Sequence, residues 1–301
     1  MQKSTKWFIG ILSGLILFGI IVVVLLSVLM MSIGEGTEEE ITGNGQKIAV
    51  VEVFGPIYSS EEIVRQLKKY RKESSIKAVL VHVNSPGGGV AASQEIYEEI
   101  KYTSEEKPVV ISMSSVAASG GYYIACGAKK IVANAGTITG SIGVISQFWE
   151  VSKLMEKIGV QNNTIKSGKL KDSGNPFRAM SDEEKQYFQN LSSDIHQQFM
   201  EAVEDARHLS HEQVMEIADG RVYSGRQAFA LGLVDTLGTY ENAVRITADE
   251  AGINDEPAIV KEVERLSLVE KMFGTTLGKM TELKEELLNQ PVLQYKMPGS
   301  W

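Results

Sequence analysis

Trp7 through Ile33 is a run of 27 residues without a charge, dominated by Ile, Leu and Val. As a helix it would extend roughly 40 Å at about 1.5 Å per residue, more than the roughly 30 Å of a hydrocarbon core, so the pattern predicts one tilted membrane-spanning helix. Lys3 and Lys6 precede it and Glu35 and Glu38-Glu39-Glu40 follow it. The positive-inside rule then leaves residues 1–6 in the cytoplasm and places everything after the anchor outside. A cleavable signal peptide is the competing reading, but its apolar core would be about 7 to 15 residues long and followed by a small-x-small site.

Beyond a polar linker, residues 34–46, the period of the pattern alternates between strand and helix. Lys47 to Phe54, Ala78 to Val83 and Pro108 to Met113 read as buried strands, while 59–72, 90–102 and a segment opening near 117–123 read as helices. Strand alternating with helix predicts an α/β fold with parallel strands and right-handed crossovers. From Ser181 to Ala218 the pattern is long and helical, followed by helices over 224–231, 240–250 and 266–289. The simplest division is one catalytic domain over 47–250 and a C-terminal helix and tail over 251–301. The tail from Pro291 to Trp301 is apolar enough to predict docking, on a neighbouring copy or in a groove.

Composition narrows the functional classes. Removing Lys3 and Lys6 leaves 28 basic and 38 acidic residues, a net charge of −10 for the rest of the chain, without basic blocks. A nucleic-acid partner is therefore not expected. The single cysteine, Cys126, excludes a disulfide framework and a Cys-based zinc site, and the four histidines lack ligand spacing. Stability must come from a packed core or from assembly.

Two glycine clusters follow predicted strands, where open parallel sheets place their functional loops. Asn84-Ser85-Pro86-Gly87-Gly88-Gly89 follows the second strand, and Ser119 with Gly120 and Gly121 behind it follows the third. A plain N-cap serine needs no glycines after it, whereas a nucleophile that must be reached by a peptide backbone needs small neighbours. His82 lies on the Leu80 face of its strand and reads as a core-side histidine, and His196, His208 and His211 read as surface positions. With no histidine base favoured, lysine remains, provided burial depresses an amine pKa of about 10.4 when free. Residues 166–177 offer Lys166, Lys169 and Lys171, and composition does not choose among them.

Asn84-Ser-Pro-Gly-Gly-Gly89, Ala118-Ser-Gly-Gly-Tyr-Tyr123, Thr139-Gly-Ser-Ile-Gly-Val144 and Lys171 with Pro176-Phe177, in this order behind an apolar segment, resemble the short-form SppA family of bacterial signal peptide peptidases. The resemblance covers approximately 47–239. It implies a ClpP/crotonase-like superhelical β-α-β domain with a helical C-terminal half, and a Ser-Lys serine peptidase without cofactor or metal. It assigns Ser119 as nucleophile, Lys171 as general base, Ser141 as the serine that holds the lysine amine, and the backbone N–H groups of Gly88 and Gly120 as the oxyanion hole. It further implies a dome-like homo-oligomer, an octamer in the short form, in which a site can be shared between protomers. The implied place is the bacterial cell membrane, with the catalytic domain outside. The implied substrates are cleaved signal peptides and other short or unfolded peptides beside the lipid bilayer. Competing readings are a membrane protease of protein quality control, a crotonase-type acyl-CoA enzyme, which would need a carboxylate and an intracellular CoA pool, and a non-enzymatic membrane scaffold. Tyr122 and Tyr123 read as helix packing rather than substrate contacts.

Overall fold

The computed structural model describes Trp7 and residues 13–23, 37–264 and 293–297. Chain contacts divide it into residues 1–40 with 262–287, and 41–261 with 288–301. In the first unit, residues 13–23 are helical and almost wholly exposed. Among the described residues no helix is long and apolar enough to cross a membrane; the rest of the predicted anchor, and the predicted helix over 266–289, lie outside them. Strand β1 (Thr37–Thr42) forms within what reads as a linker.

The second unit is built on a sheet in the order β11-β2-β3-β5-β6-β10, with β2 spanning Lys47–Phe54, β3 Ile76–Ser85, β5 Val109–Ala118, β6 Lys130–Ala133, β10 Thr236–Leu237 and β11 Ala258–Glu264. All five pairings are parallel. The central strands are nearly continuous apolar runs because helices cover both faces. Alternation along β2 sends Ala49, Val51 and Val53 to one core with Leu67, Tyr70, Ile96 and Ile100, and Ile48 and Val50 to another with Leu80, Val110 and Ala243. The first face is covered by α1 (Glu61–Lys72), α2 (Val90–Glu106), α3 (Gly120–Ala125) and α5 (Asp182–Arg207), the second by α8 (Tyr240–Glu250). In chain order α4 (Ser152–Lys157) precedes α5, and α6 (His211–Ile217) and α7 (Gly225–Ala230) follow it, adding Val214 and Ala228 to the first core. The α/β parallel-sheet expectation is borne out.

The helical stretch expected over 181–218 is divided into two helices, α5 and α6. His208 takes a left-handed conformation, φ 54°, and Ser210 opens α6 with a capping box to Gln213. A second set of N-terminal donors satisfied locally competes with continuation of the first helix. His82 keeps its predicted face and packs between the rings of Phe54 and Tyr240.

Candidate active site

Two β-to-α transitions at the carboxyl ends of β3 and β5 build the site. Ser119, between β5 and α3, has φ 55° and ψ −116°, a conformation that costs a non-glycine residue about 1–3 kcal/mol and is kept only where the surroundings enforce it. The surroundings are tight: a Cβ on Gly120 would lie 2.6 Å from Ser93 Oγ, and one on Gly121 would lie 2.8 Å from the Ser85 carbonyl oxygen. The Ser119 N–H donates to the Gly140 carbonyl at 2.7 Å. Its hydroxyl, however, does not cap α3. Ser119 Oγ is fully buried and has no hydrogen-bond partner among the described residues, which sets it apart from an ordinary N-cap serine.

Strand β7 (Ile138–Gly140) pairs in parallel with the end of β5, Ala118 opposite Gly140. Each strand therefore delivers its next residue, Ser119 and Ser141, to the same end of the ladder. Ser141 is also buried with a positive φ, 53°, and its N–H donates to the Arg221 carbonyl at 2.8 Å.

After Ser85 the chain turns at Gly87, φ +100°, into β4 (Gly87–Gly89). Ile57 fixes this strand: its N–H donates to Gly87 O at 2.9 Å, and its carbonyl accepts from Gly89 N at 2.7 Å. A Cβ on Gly88 would lie 2.1 Å from the Ile57 carbonyl oxygen. Such an approach between backbones admits glycine alone.

The other edge of β4 is occupied by the C-terminal tail. Strand β12 (Leu293–Lys296) runs antiparallel to β4, with Tyr295 opposite Gly88, and antiparallel to β8 (Ile145–Ser146) on its far side. Met297 N donates to Pro86 O at 2.9 Å. Because hydrogen-bonded and non-bonded pairs alternate, this sets the phase and makes Tyr295 and Gly88 a hydrogen-bonded pair. A single point, the position a Gly87 Cβ would take, lies 2.1 Å from the Tyr295 carbonyl oxygen and 2.7 Å from Gly120 N. The Tyr295 carbonyl thus sits beside the amides of Gly88 and Gly120. The Tyr295 ring is fully buried, stacked on Tyr123 at 5.0 Å and tilted against Phe199 at 4.8 Å. Its hydroxyl donates to the Ile195 carbonyl at 3.3 Å. Burial pushes the Tyr123 phenol up to about 12 and raises Tyr295 further, so both stay neutral.

The structure brings Ser119, Ser141, Gly88 and Gly120 together, and leaves Lys171 out. Lys171 is exposed on a turn where its own N–H donates to Gly168 O at 3.1 Å. Lys166 is tied to Asp172 and Lys169 to Glu183. The Lys171 amine has no such tie among the described residues.

Residues 101–254 match the model of peptidase family S49. A putative protease of Synechocystis sp. is 44% identical over 224 residues, 74% of this chain and 81% of the relative. The chain belongs to peptidase family S49. A putative signal peptide peptidase SppA of Enterococcus faecium is 35% identical over 243 residues, 80% of this chain and 71% of that protein. Among solved structures, a ClpP1 mutant from Listeria monocytogenes aligns at 19% identity with a TM-score of 0.46, covering 64% of this chain and 93% of that one.

In this S49 peptidase three features escaped the sequence reading. Tyr122 and Tyr123 pack as expected, the Tyr122 hydroxyl donating to the Leu233 carbonyl at 2.8 Å and the Tyr123 ring meeting Tyr97 and Phe199, but the ring of Tyr295 from the tail joins them. His196, expected at the surface, has its Nε2 buried without a partner among the described residues, beside a cavity of about 340 Å³ that Ser141 and Met297 also line. The β4–β12–β8 ladder gives almost no pattern, since Gly-Gly-Gly carries no alternation and the tail strand is four residues long.

Proposed function

We propose that the chain is a membrane-anchored serine endopeptidase in which Ser119 of one copy is activated by Lys171 of a neighbouring copy. The observation that carries this is the buried, unpartnered Ser119 Oγ on a strained turn, beside Ser141, with an extended peptide strand across the amides of Gly88 and Gly120. In this reading the neutral Lys171 amine takes the Ser119 proton as the hydroxyl oxygen bonds to the substrate carbonyl carbon. The Gly88 and Gly120 N–H groups stabilise the oxyanion, and Ser141 Oγ orients the amine. The ammonium then gives its proton to the leaving amine as the peptide C–N bond breaks. Water, deprotonated by the same lysine, hydrolyses the acyl-enzyme and regenerates the serine.

Lys171 reaches no Ser119 in its own chain, which supports a shared site in a homo-oligomer. The test is mixing. Full-length Ser119→Ala and Lys171→Ala copies, each inactive alone, are expected to recover about a quarter of wild-type turnover when co-assembled in equal amounts, because a random neighbour pair then holds one intact serine and one intact lysine in that proportion. No recovery, with mixed oligomers demonstrated, would place both groups in one chain.

The tail lies where an extended peptide would add a strand to both β4 and β8, with Tyr295 as the residue before the bond attacked and Tyr123, Phe199 and Ile195 around its ring. Deleting residues 293–301 is expected to raise turnover of a short peptide several-fold through a lower KM, and a peptide of the same sequence added back is expected to compete. Unchanged KM after deletion would separate the tail from the substrate groove. Residues 7–33 are read as the anchor, with the catalytic unit outside the bacterial cell membrane. The substrates are read as signal peptides left in the bilayer after preprotein processing, for which shared anchoring raises effective concentration.

A further inference from the structure

A base carried on a loop, and acting in another molecule's site, has to be held in one orientation before it arrives. The turn that carries Lys171 is held largely by one side chain. Arg178 Nε donates to Asp172 Oδ2 at 3.0 Å and one Nη to the Asp172 carbonyl at 3.0 Å. The same guanidinium reaches both carboxylate oxygens of Glu184, one at 2.8 Å, and the Ala179 carbonyl at 3.2 Å. All five of its N–H donors are therefore engaged.

Each end of this clamp is anchored. Glu184 belongs to the capping box of α5, where its carboxylate accepts the Ser181 N–H at 2.8 Å and Ser181 Oγ accepts the Glu184 N–H at 3.3 Å. Helix α5 is seated in the core through Phe199, Met200 and Val203. At the other end, Asp172 directly follows Lys171. Its two carboxylate oxygens are taken by Arg178 and Lys166, and its carbonyl also accepts from Asn175 N at 3.1 Å, closing the turn. Hydrogen bonds from Arg178 and then from Lys166 hold the Asp172 carboxyl at about 2, so the clamp is charged across the working pH range.

We propose that Arg178 is a positioning residue for the general base: it locks the turn bearing Lys171 to the N-terminus of α5 and keeps the adjacent Asp172 carboxylate engaged away from the lysine amine. The proposal rests on Lys171 being the base.

The test uses the full-length protein and a short peptide substrate. Arg178→Lys keeps the charge but concentrates three donors on one nitrogen, so it cannot serve two carboxylates and two carbonyls at once. Its kcat, per folded and assembled chain, is expected to fall about 10- to 100-fold, the scale of a misplacement of about 1 Å of a reacting group. KM is expected to stay within about twofold of wild type, because nothing in the substrate groove has changed. Asp172→Asn breaks the same link from its other end, so the double variant is expected to lose no more than the worse single variant. Wild-type kcat in both single variants overturns the clamp, as does a loss that resides in KM or that adds fully in the double variant. If Arg178→Ala does not fold, Arg178→Lys and Asp172→Asn still decide, because both retain a cation facing Glu184. Full turnover by Lys171→Ala would remove the reading on which the proposal rests. An inactive Lys171→Ala beside wild-type rates in the Arg178 variants removes the clamp alone.

Discussion

Ser119→Ala in the full-length protein is expected to lower kcat by about 10⁵- to 10⁶-fold, Lys171→Ala by a similar factor, and the double variant by no more than either single change. A nucleophile and its base act as a unit, so removing one leaves the other without a task. The residual rate is then expected to come from binding and from the two amides proposed to face the oxyanion. In the free chain nothing else competes for the Ser119 hydroxyl: its oxygen is buried and has no partner among the described residues, so alanine at this position breaks no hydrogen bond that the structure records. Stability is therefore expected to hold or to rise slightly, since a buried hydroxyl without a partner costs about 1–3 kcal/mol and the positive φ remains in either residue. Single-turnover hydrolysis and thermal unfolding measured on the same preparation separate these effects. Full turnover by Ser119→Ala would require a different nucleophile, and labelling of wild type by a serine-directed acylating probe would identify it.

The contrast between the two catalytic candidates shows what sequence reading reaches. Ser119 is legible because its setting is local. An apolar strand, a serine and two glycines in thirteen residues leave little besides a tight strand-to-helix turn, and the φ of 55° is what that turn demands. Strand β2 is found where the apolar run puts it, at Lys47–Phe54, because burial on both faces leaves its mark on the four consecutive residues Ile48 to Val51. Lysine is different. Nothing in residues 166–177 distinguishes Lys171 by its neighbours in sequence, and in the fold the distinction appears only as ion pairs that occupy Lys166 and Lys169. In the shared site proposed above, the serine that would give Lys171 its meaning belongs to another copy. Strand β4 is missed for a related reason: three glycines have no side chains to pattern, and they become a strand only because Ile57 and the tail offer hydrogen bonds from either side. His196 is misread because a helical face is assigned by its average character, whereas the tail makes a local pocket against it.

Gly88→Ala tests how closely this backbone geometry is tied to catalysis. A Cβ at Gly88 would lie 2.1 Å from the carbonyl oxygen of Ile57 and 2.6 Å from its nitrogen and carbonyl carbon. These are backbone atoms, so no rotamer change relieves the clash. Strand β4 must move off Ile57, breaking or stretching the bonds between Ile57 N and Gly87 O and between Gly89 N and Ile57 O. The Gly88 N–H moves with it, away from the position that the Tyr295 carbonyl now holds. Loss of one such donor is expected to lower kcat by about 10²- to 10³-fold, about 3–4 kcal/mol in the barrier, and overpacking is expected to cost a further 1–3 kcal/mol of folding stability. Gly136→Ala is the matched control, since a Cβ there meets nothing within 4 Å; its stability is expected to stay within about 0.5 kcal/mol of wild type and its kcat to be unchanged. The two losses at Gly88 are separable because they have different owners. Destabilisation follows from the Ile57 contact whatever the reaction, while the fall in kcat follows only if the Gly88 amide faces the developing charge. A destabilised Gly88→Ala with wild-type kcat would therefore keep the fold as described and remove this amide from the catalytic assignment.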